Sequence, residues 1–278
     1  MSGLQSEKVF SCLFDGEASE DQPSILMVVA HPDDEVVGAG ARLARWKNVG
    51  FVHVTDGAPR DMKDARESGF ATREDYARAR REEFHKAIRL LNLSPRVEMA
   101  LDFVDQETTI HLAGLAAQLQ ATFLDLKPDV VLTHPYEGGH PDHDSIAWAV
   151  ATACDRLKQE GETAPVIVEM TAYHNGVYGM VAGEFLPDCK TPIVAHELTH
   201  EECSFKRRLY ACYKSQQRTL RWFPIENESF RVAPRYNFSK PPHEGKLFYE
   251  QFKWGMEGAR WRALAAEASR NFQLVPVA

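Results

Sequence analysis

The stretch Ile25–Glu35 reads ILMVVAHPDDE and decides the fold, because an uninterrupted apolar run passes directly into a polar cluster. A short continuous apolar run is typical of a central strand that is buried on both faces of a sheet. Pro32 cannot donate to a sheet ladder, so the strand is predicted to end near His31. In open α/β sheets, ligands bind outside the carboxyl ends of the strands, where this imidazole and these three carboxylates fall. Packing alone gives no reason to place so much acid there, so the cluster is predicted to be half of a metal site.

Strand-like and helix-like segments alternate along the chain. Such alternation predicts parallel β–α–β units. We therefore expect a Rossmann-like layered α/β fold with a mostly parallel central sheet and helices on both faces. The predicted strands are 25–30, 51–55, 97–101, 129–133 and 166–170; the predicted helices are 40–47 (opened by the closely packed Gly38-Ala39-Gly40), 72–92 (capped by Thr72 with Asp75), 110–126 and 145–160; and the charged stretch 59–69 is expected to be a mobile surface loop.

The chain of 278 residues is expected to form a single domain. Its core is predicted over about 24–216, followed by a C-terminal helical and aromatic extension over 217–278. From Pro187 onward the sequence is richer in aromatic residues and proline, with helices near 199–213 and 246–268. We expect this part to form a wall or lid of the same domain.

Composition excludes several classes of function. The net charge of −8 argues against nucleic acid as a partner. No apolar run approaches the roughly 18 residues that span a membrane, and residues 1–21 lack the apolar region of a signal peptide. The five cysteines are scattered and never form C-x-x-C, which suits reduced thiols in the cytoplasm. We expect a cytoplasmic protein, and the sequence leaves open whether it is a homo-oligomer.

A second polar cluster, His140–His143 (HPDH), follows the predicted strand 129–133. Because both clusters follow strands at the same edge of the sheet, His31, Asp34 and His143 are expected to meet. Two imidazoles and one carboxylate with an open position are a typical catalytic zinc set. Asp33 cannot easily share the direction of its neighbour, so it is available as a base beside that open position. Zinc lowers the pKa of a bound water to about 7, so a nearby carboxylate suffices for this role.

The two clusters resemble the motifs of the zinc-dependent de-N-acetylases of the PIG-L/LmbE-like family. The resemblance implies a zinc-dependent hydrolase that removes an N-acetyl or another small N-acyl group from an amino sugar or amino-sugar conjugate. A small N-acetylated molecule is then the expected partner. The resemblance covers about 24–216 and rests on AHPDDE (30–35) and HPDH (140–143), supported by TDG (55–57), RREE (80–83) and KSQ (214–216).

The resemblance also implies roles for individual residues. By it, His31, Asp34 and His143 hold Zn²⁺ and Asp33 is the general base. His140 would steady the oxyanion and protonate the leaving amine. Amide hydrolysis needs a Lewis acid, a base for water and a donor to the oxyanion, and this set supplies one of each.

Four further polar residues have less specific predictions. Arg80 and Asp105 look like the substrate-contacting Arg and Asp of the family. Asp142 is expected either to orient a neighbouring imidazole or to cap the following helix. Helix capping explains Glu35 equally well, since acids favour helix N-termini. Among the remaining histidines, which are expected to be structural or exposed, His134 lies nearest to a cluster.

A competing motif, HELTH at His196–His200, matches the H-E-x-x-H signature of zinc proteases. That motif works only on a continuous helix, which places both imidazoles on one face. Local signals oppose this, because 192–198 has an extended apolar pattern and Thr199 with Glu202 forms a predicted capping box. Glu226 and Glu228 are the candidates for a third ligand. We therefore expect the match to be a coincidence.

Two other classes of function remain as alternatives. Two histidines and a carboxylate at His31, Asp34 and His143 also suit a non-haem Fe(II) enzyme. Asp33 argues against it, because oxygen activation needs no base beside the metal. An α/β binding module that kept the pocket is the non-enzymatic alternative, and the intact set of ligands and base argues against it.

Overall fold

The computed structural model describes residues 3–14, 22–187 and 191–274, and helices cover a central sheet in this part of the chain. The strands are β1 (Ile25–Val29), β2 (Val49–Thr55), β3 (Glu98–Phe103), β4 (Val130–Thr133), β5 (Val166–Met170), β6 (Tyr173–Gly176), β7 (Gly179–Ala182), β8 (Ile193–Glu197) and β9 (Asn227–Val232). The helices are α1 (Gly3–Phe14), α2 (Asp34–Leu43), α3 (Lys63–Glu67), α4 (Arg73–Leu90), α5 (Leu112–Leu126), α6 (Pro141–Gln159), α7 (His200–Tyr210), α8 (Gln217–Leu220) and α9 (Gly258–Leu274), with 3-10 turns at Thr108–His111, Lys214–Gln216 and Phe248–Gln251.

The strand order of the main sheet is β3-β2-β1-β4-β5-β9-β8 within the described residues. The first five of these strands pair in parallel, and β9 runs antiparallel to both β5 and β8. From β1 the chain continues to β2 and β3 on one side, whereas β4 and β5 lie on the other. The order therefore reverses between β1 and β4, and a crevice forms at such a switch point, outside the carboxyl ends of the strands.

Strand β1 is buried along its whole length, as its continuous apolar sequence predicts. Leu26 and Val28 pack against side chains of α5, α6 and α9 on one face of the sheet. Ile25, Met27 and Val29 pack against α2, α4 and α7 on the other face. The prediction of a mostly parallel sheet with helices on both faces is confirmed.

Two helices begin earlier than predicted, and both changes bring site residues into a first helical turn. Helix α2 begins at Asp34 and not at Gly38–Gly40. A Cβ on Gly38 would lie 2.3 Å from Met170 Sδ, so the predicted close packing at this glycine is confirmed. Helix α6 begins at Pro141 and not at residue 145, because His140 accepts the backbone N–H of Asp142 and caps the helix.

Three other segments differ from prediction. The expected mobile loop 59–69 contains α3, so part of it is helical. The helix predicted over 246–268 begins only at Gly258, after a 3-10 turn. Strand β9, from the predicted extension 217–278, lies inside the main sheet, and the division of the chain into core and extension stays a prediction. Cys189 lies outside the described residues.

Two glycines provide a matched test of packing near the β4–α6 loop. A Cβ on Gly139 would lie 2.0 Å from the carbonyl oxygen of Tyr173, whereas a Cβ on Gly114 in α5 would contact nothing within 4 Å. We expect Gly139→Ala to lower the free energy of unfolding by about 1–3 kcal/mol through overpacking. Gly114→Ala should raise it by about 0.5–1 kcal/mol, since alanine favours helix interiors. Urea denaturation of both variants measures the difference; equal stabilities would contradict the predicted clash.

Candidate metal centre

The two predicted polar clusters meet at the crevice between β1 and β4. These strands pair in parallel with Met27 opposite Leu132, so the loops that follow them open at the same edge. The ring centroids of His31 and His143 lie 5.4 Å apart, and those of His31 and His140 lie 4.7 Å apart. Side chains that are more than a hundred residues apart in the sequence therefore lie together in one small buried volume.

Asp34 lies between two of these imidazoles. Its Oδ2 is 3.3 Å from His31 Nδ1, and its Oδ1 is 3.4 Å from His143 Nε2. Burial raises the pKa of Asp34, but His143 and His134 outweigh it and hold the pKa well below its usual range. The carboxylate is therefore ionised, as a metal ligand must be.

His143 supplies the clearest sign that the cluster fits a metal. The residue is buried, and neither of its ring nitrogens has a hydrogen-bond partner among the described residues. Buried polar atoms are normally paired, so an unpaired imidazole beside a carboxylate suits a metal ligand. Three overlapping groups in the described part of the chain could hold an ion: His31/His140/His143, His31/Asp105/His140/Asp142 and Asp34/His134/His143. The predicted set His31/Asp34/His143 shares two members with the first and with the last of these groups.

Asp33 has the backbone conformation expected of a strained functional residue. Its φ of 141° is rare for a residue other than glycine. Its carboxylate pairs with Arg80, whose Nη2 lies 3.0 Å from Asp33 Oδ1. Burial raises the pKa of Asp33 to about 7, although Arg80 opposes the shift. A carboxylate with such a pKa is suited to accept a proton near neutral pH.

Arg80 is buried and its guanidinium faces the loops around the cluster. Besides Asp33, it donates to the carbonyl oxygens of Gly57 at 2.6 Å and Pro32 at 2.9 Å. A Cβ on Gly57 would lie 2.4 Å from Arg80, which explains the glycine of the TDG segment. Arg80 also lines a cavity of about 140 Å³ at the cluster, which we call the inner cavity. Its predicted contact with a substrate stays a prediction.

Asp105 and Asp142 both contact His31. The distances from His31 Nε2 are 3.0 Å to Asp105 Oδ1 and 3.5 Å to Asp142 Oδ2. Burial lowers the pKa of His31, but these carboxylates outweigh it and hold the pKa well above its ordinary value. Asp142 also accepts the backbone N–H groups of Gln106 and Thr108, which anchors the loop that carries Asp105. The cap of α6 is His140, so the capping alternative for Asp142 is wrong.

His140 presents a single nitrogen to the cavity. Its Nδ1 accepts the N–H of Asp142 at 3.2 Å, so the proton of the neutral ring is on Nε2. Burial, followed by the charge of His31, lowers the pKa of His140 well below its ordinary value. The residue therefore offers a neutral Nε2–H donor, 3.8 Å from Asp105 Oδ1.

Sequence analysis assigned no functional role to two neighbours of the cluster, His134 and Tyr173. His134 is buried and stacks on His143 with ring centroids 3.8 Å apart, and its Nε2 accepts the N–H of Ala30. Tyr173 packs edge-on against His143 with centroids 5.6 Å apart. It begins a short hairpin that the apolar pattern does not reveal. His134 carried a signal, since it directly follows the last residue of β4.

Glu35 belongs to a buried network beneath Asp33 and does more than cap a helix. It is fully buried, and its carboxylate accepts the Tyr213 hydroxyl and the N–H of Asp33. His53 Nε2 lies 3.3 Å from the same carboxylate. These contacts fix the carboxylate of Glu35, which in turn holds the backbone N–H of Asp33 at the strained turn.

The H-E-x-x-H match does not form a metal site. His196 lies in β8, Thr199 and Glu202 form the predicted capping box, and His200 is the first residue of α7. The two histidines therefore lack the shared helix face that the motif requires. Glu228 is buried against Lys206 at 2.9 Å. Neither histidine belongs to a candidate metal group in the described ranges.

Fold and site together define an α/β enzyme with a buried imidazole–carboxylate centre at its switch point. Comparison with known families agrees: the model of the PIG-L family, described as GlcNAc-PI de-N-acetylase, matches residues 26–154. Residues 26–154, just under half of the chain, therefore match the PIG-L family, as the motifs predicted. The chain is thus similar to hydrolases that act on N-acetyl amide bonds.

Individual relatives are more distant. A probable N-acetyl-alpha-D-glucosaminyl L-malate deacetylase 2 of Bacillus subtilis (strain 168) is 28% identical over 166 residues, which is 56% of this chain and 71% of that protein. The A40926 pseudoaglycone deacetylase has a similar fold, with a TM-score of 0.56, 20% identity and coverage of 78% of this chain and 99% of the other. The zinc inhibited form of teicoplanin deacetylase aligns with a TM-score of 0.54 and 18% identity, covering 77% and 99% of the two chains. Among the residues that the structure describes, no helix combines the length and apolarity of a membrane span.

Proposed function

We propose that this protein is a zinc-dependent hydrolase that removes an N-acetyl or another small N-acyl group from an amino sugar or amino-sugar conjugate. One observation carries the proposal: a buried carboxylate with its pKa raised to about 7, Asp33, lies directly beside a buried His31/Asp34/His143 cluster. The Bacillus relative is named for an N-acetylglucosaminyl substrate, and the fold is shared with the A40926 pseudoaglycone deacetylase and with teicoplanin deacetylase. These names support the same reaction on a related substrate.

His31, Asp34 and His143 are the residues that we propose to hold the metal. Zinc would supply a Lewis acid for the amide carbonyl and lower the pKa of a bound water to about 7. The adjacent Asp33 favours hydrolysis over a non-haem Fe(II) reaction, because only hydrolysis uses a base at that position. Asp105 and Asp142 would fix the ring of His31 through its Nε2, in the way that outer carboxylates orient ligating histidines.

Asp33 and His140 have different roles in the proposed reaction. Arg80 holds one carboxylate oxygen of Asp33 at 3.0 Å and so fixes the direction of the other, which would take a proton from the attacking water. The Nε2–H of His140 would donate a hydrogen bond to the oxyanion as charge develops on the amide oxygen. Asp33 would then pass the proton from the water to the leaving amine, because the low pKa of His140 leaves a neutral ring that does not fit its predicted role as the acid. Arg80 and Asp105 also line the cavity, and we retain both as proposed substrate contacts.

The proposal is tested by measuring bound metal and amine release in parallel. The purified protein is assayed by elemental analysis and with a panel of N-acetylated amino sugars and their conjugates. We expect stoichiometric zinc and release of free amine with matching acetate. A metal-containing protein that releases no amine from any member of the panel would contradict the proposal.

The H-E-x-x-H match gives a separate prediction. His200 is exposed and begins α7, away from the cluster, so His200→Ala should leave both the metal content and kcat/KM unchanged. Elemental analysis and the amine-release assay check this result. If His200→Ala loses the metal, the protease-type site is the correct one and the cluster at the switch point is not.

We also propose a cytoplasmic location. Cys12, Cys154, Cys203 and Cys212 are free thiols in the described residues. Free thiols in this number suit a reducing compartment.

A further inference from the structure

Two connected cavities lie at the carboxyl edge of the sheet. The inner cavity has a volume of about 140 Å³ and is lined by the metal cluster. A second cavity of about 570 Å³, which we call the outer trough, opens beside it. Tyr173, Gln216, Thr219, Phe223 and Trp254 line both. Pockets for small molecules usually measure about 300–1,000 Å³, so the inner cavity alone is too small for a sugar conjugate.

One side of the outer trough is an aromatic wall, and the wall reaches the catalytic residues. Phe252 and Trp254 stack with ring centroids 4.5 Å apart and planes at 16°. The ring of Trp254 lies 4.9 Å from that of His140. The wall consists of Tyr173, Trp222, Phe223, Phe248, Phe252 and Trp254. A group bound in the inner cavity therefore continues directly onto an aromatic surface.

The outer part of this wall is open to solvent. Trp222 is 63% exposed and Phe252 is 41% exposed, which is unusual for large apolar side chains. Exposed aromatic surface with a polar rim marks a binding site. Trp222 and Phe252 also lie outside residues 26–154, the part of the chain that matches the family.

The charged residues of the trough do not select an anionic group. Asp61, Asp64 and Glu67 line it together with Lys63, Arg218 and Arg221, which gives three acids and three bases. Arg218 is paired with Glu67, and the guanidinium of Arg221 lies 5.0 Å from the ring of Trp222. A dianionic group such as malate therefore gains no net attraction.

The face of the wall suits an aromatic ring. Three of its six members, Phe223, Phe248 and Phe252, offer no hydrogen-bond partner to the hydroxyl groups of a sugar, and the polar lining of the trough lies at other residues. An aromatic ring loses little hydration free energy when it leaves water, and it gains offset or edge-on contacts with the wall.

We infer that the outer trough is an aglycone subsite that binds an aromatic ring of the substrate, while the N-acetylated sugar occupies the inner cavity. This inference rests on the proposed deacetylase function. It identifies the substrate class as aryl-bearing conjugates of an N-acetyl amino sugar. The ring lies against Trp222 and Phe252, and its binding energy favours the conjugate over the simple sugar.

The test compares two glycosides that differ only in the aglycone: 4-nitrophenyl and methyl N-acetylglucosaminide, each as both anomers. Amine release gives kcat/KM for each. For the accepted anomer we expect the nitrophenyl compound to be favoured about tenfold, the effect of one good aromatic contact with its buried area. The double variant Trp222→Ala/Phe252→Ala should bring this ratio close to one, because only the nitrophenyl compound reaches these two side chains. Both side chains are exposed, so their truncation spares the core.

Tyr178→Ala is the matched control. Tyr178 is fully exposed at the tip of the β6–β7 hairpin and does not line the trough. Tyr178→Ala should leave the ratio of the two kcat/KM values as it is in the wild type. If it lowers the ratio as the double variant does, the effect is not specific to the trough and the inference is wrong.

Failure of the inference and failure of the proposed function give different results. If both glycosides are deacetylated with equal kcat/KM, the function stands and the aryl subsite is refuted. Diacetylchitobiose gives a third outcome. If its kcat/KM exceeds that of the methyl compound as much as the nitrophenyl compound does, and the double variant removes this excess, the trough binds a sugar ring and the aromatic assignment is refuted. If neither glycoside releases amine, the full panel of N-acetylated amino sugars and conjugates decides the proposed function, and calorimetric titration decides the subsite. Tighter binding of the nitrophenyl compound, lost in the double variant, supports an aryl site, and equal binding overturns it.

Discussion

Replacement of Asp33 by Asn is expected to leave the metal in place and to lower kcat by about 10²–10⁴-fold, the usual contribution of a positioned general base. Asn has almost the same shape as Asp but cannot accept the proton of the attacking water. Asp33 belongs to none of the candidate metal groups in the described residues, so the substitution should not weaken metal binding. Elemental analysis together with amine release from an N-acetylated amino sugar measures both effects.

A matched control separates loss of the base from loss of negative charge. Asp64 is an exposed carboxylate that lines the same inner cavity without contacting the cluster. Asp64→Asn should therefore change kcat little. If the two variants lose kcat to a similar extent, the effect comes from the electrostatic field of the cavity. That result would contradict the role of Asp33 as base. Because Asp33 also pairs with the buried Arg80, a thermal unfolding curve shows whether Asp33→Asn keeps the fold.

The sequence predicts the frame of the site well because that frame depends on local patterns. A continuous apolar run followed by a polar loop identifies both β1 and β4, and the alternation of elements predicts their parallel pairing. The capping box at Thr199 and Glu202 was equally readable, and it correctly opposed the H-E-x-x-H match. Each of these signals lies within a few neighbouring residues.

The rest of the site depends on contacts that no local pattern encodes. The carboxylate of Glu35 accepts a hydrogen bond from Tyr213, which is 178 positions away in the chain. Arg80 reaches Asp33 from the middle of α4, and a charged helix such as α4 gives no sign that one arginine is buried. The φ of Asp33 follows from its surroundings, since Asp in isolation does not favour that conformation.

The aromatic wall shows the same limit. Its aromatic residues were visible in the sequence, but between Lys214 and Gly258 they lie on short turns and loops, where periodicity gives no orientation. Only their packing around Tyr173 and His140 shows that they continue the inner cavity.

His143→Ala should remove the metal and abolish amine release, and this is the most complete loss that we expect from a single substitution. The variant takes away one of three proposed ligands and leaves Asp34 without one of the two imidazoles that hold its pKa low. A ligand that binds only the folded state stabilises it, by about 2.7 kcal/mol at a concentration 100 times its dissociation constant. A chelator should therefore lower the melting temperature of the wild type and have no effect on His143→Ala.

The overlapping candidate groups make two further variants decisive for this prediction. His140→Ala should keep the metal and lose turnover if His31, Asp34 and His143 are the ligands, but it should lose the metal if the group His31/His140/His143 holds the ion. His134→Ala should keep the metal if the proposed set holds it, and should lose the metal if the group Asp34/His134/His143 does. The unpaired nitrogens of His143 favour its direct role as a ligand, whereas Nδ1 of His140 and Nε2 of His134 already accept backbone N–H groups. Retention of a full equivalent of zinc by His143→Ala would contradict the proposed ligand set and would point to His31/Asp105/His140/Asp142, the candidate group in the described residues that lacks His143.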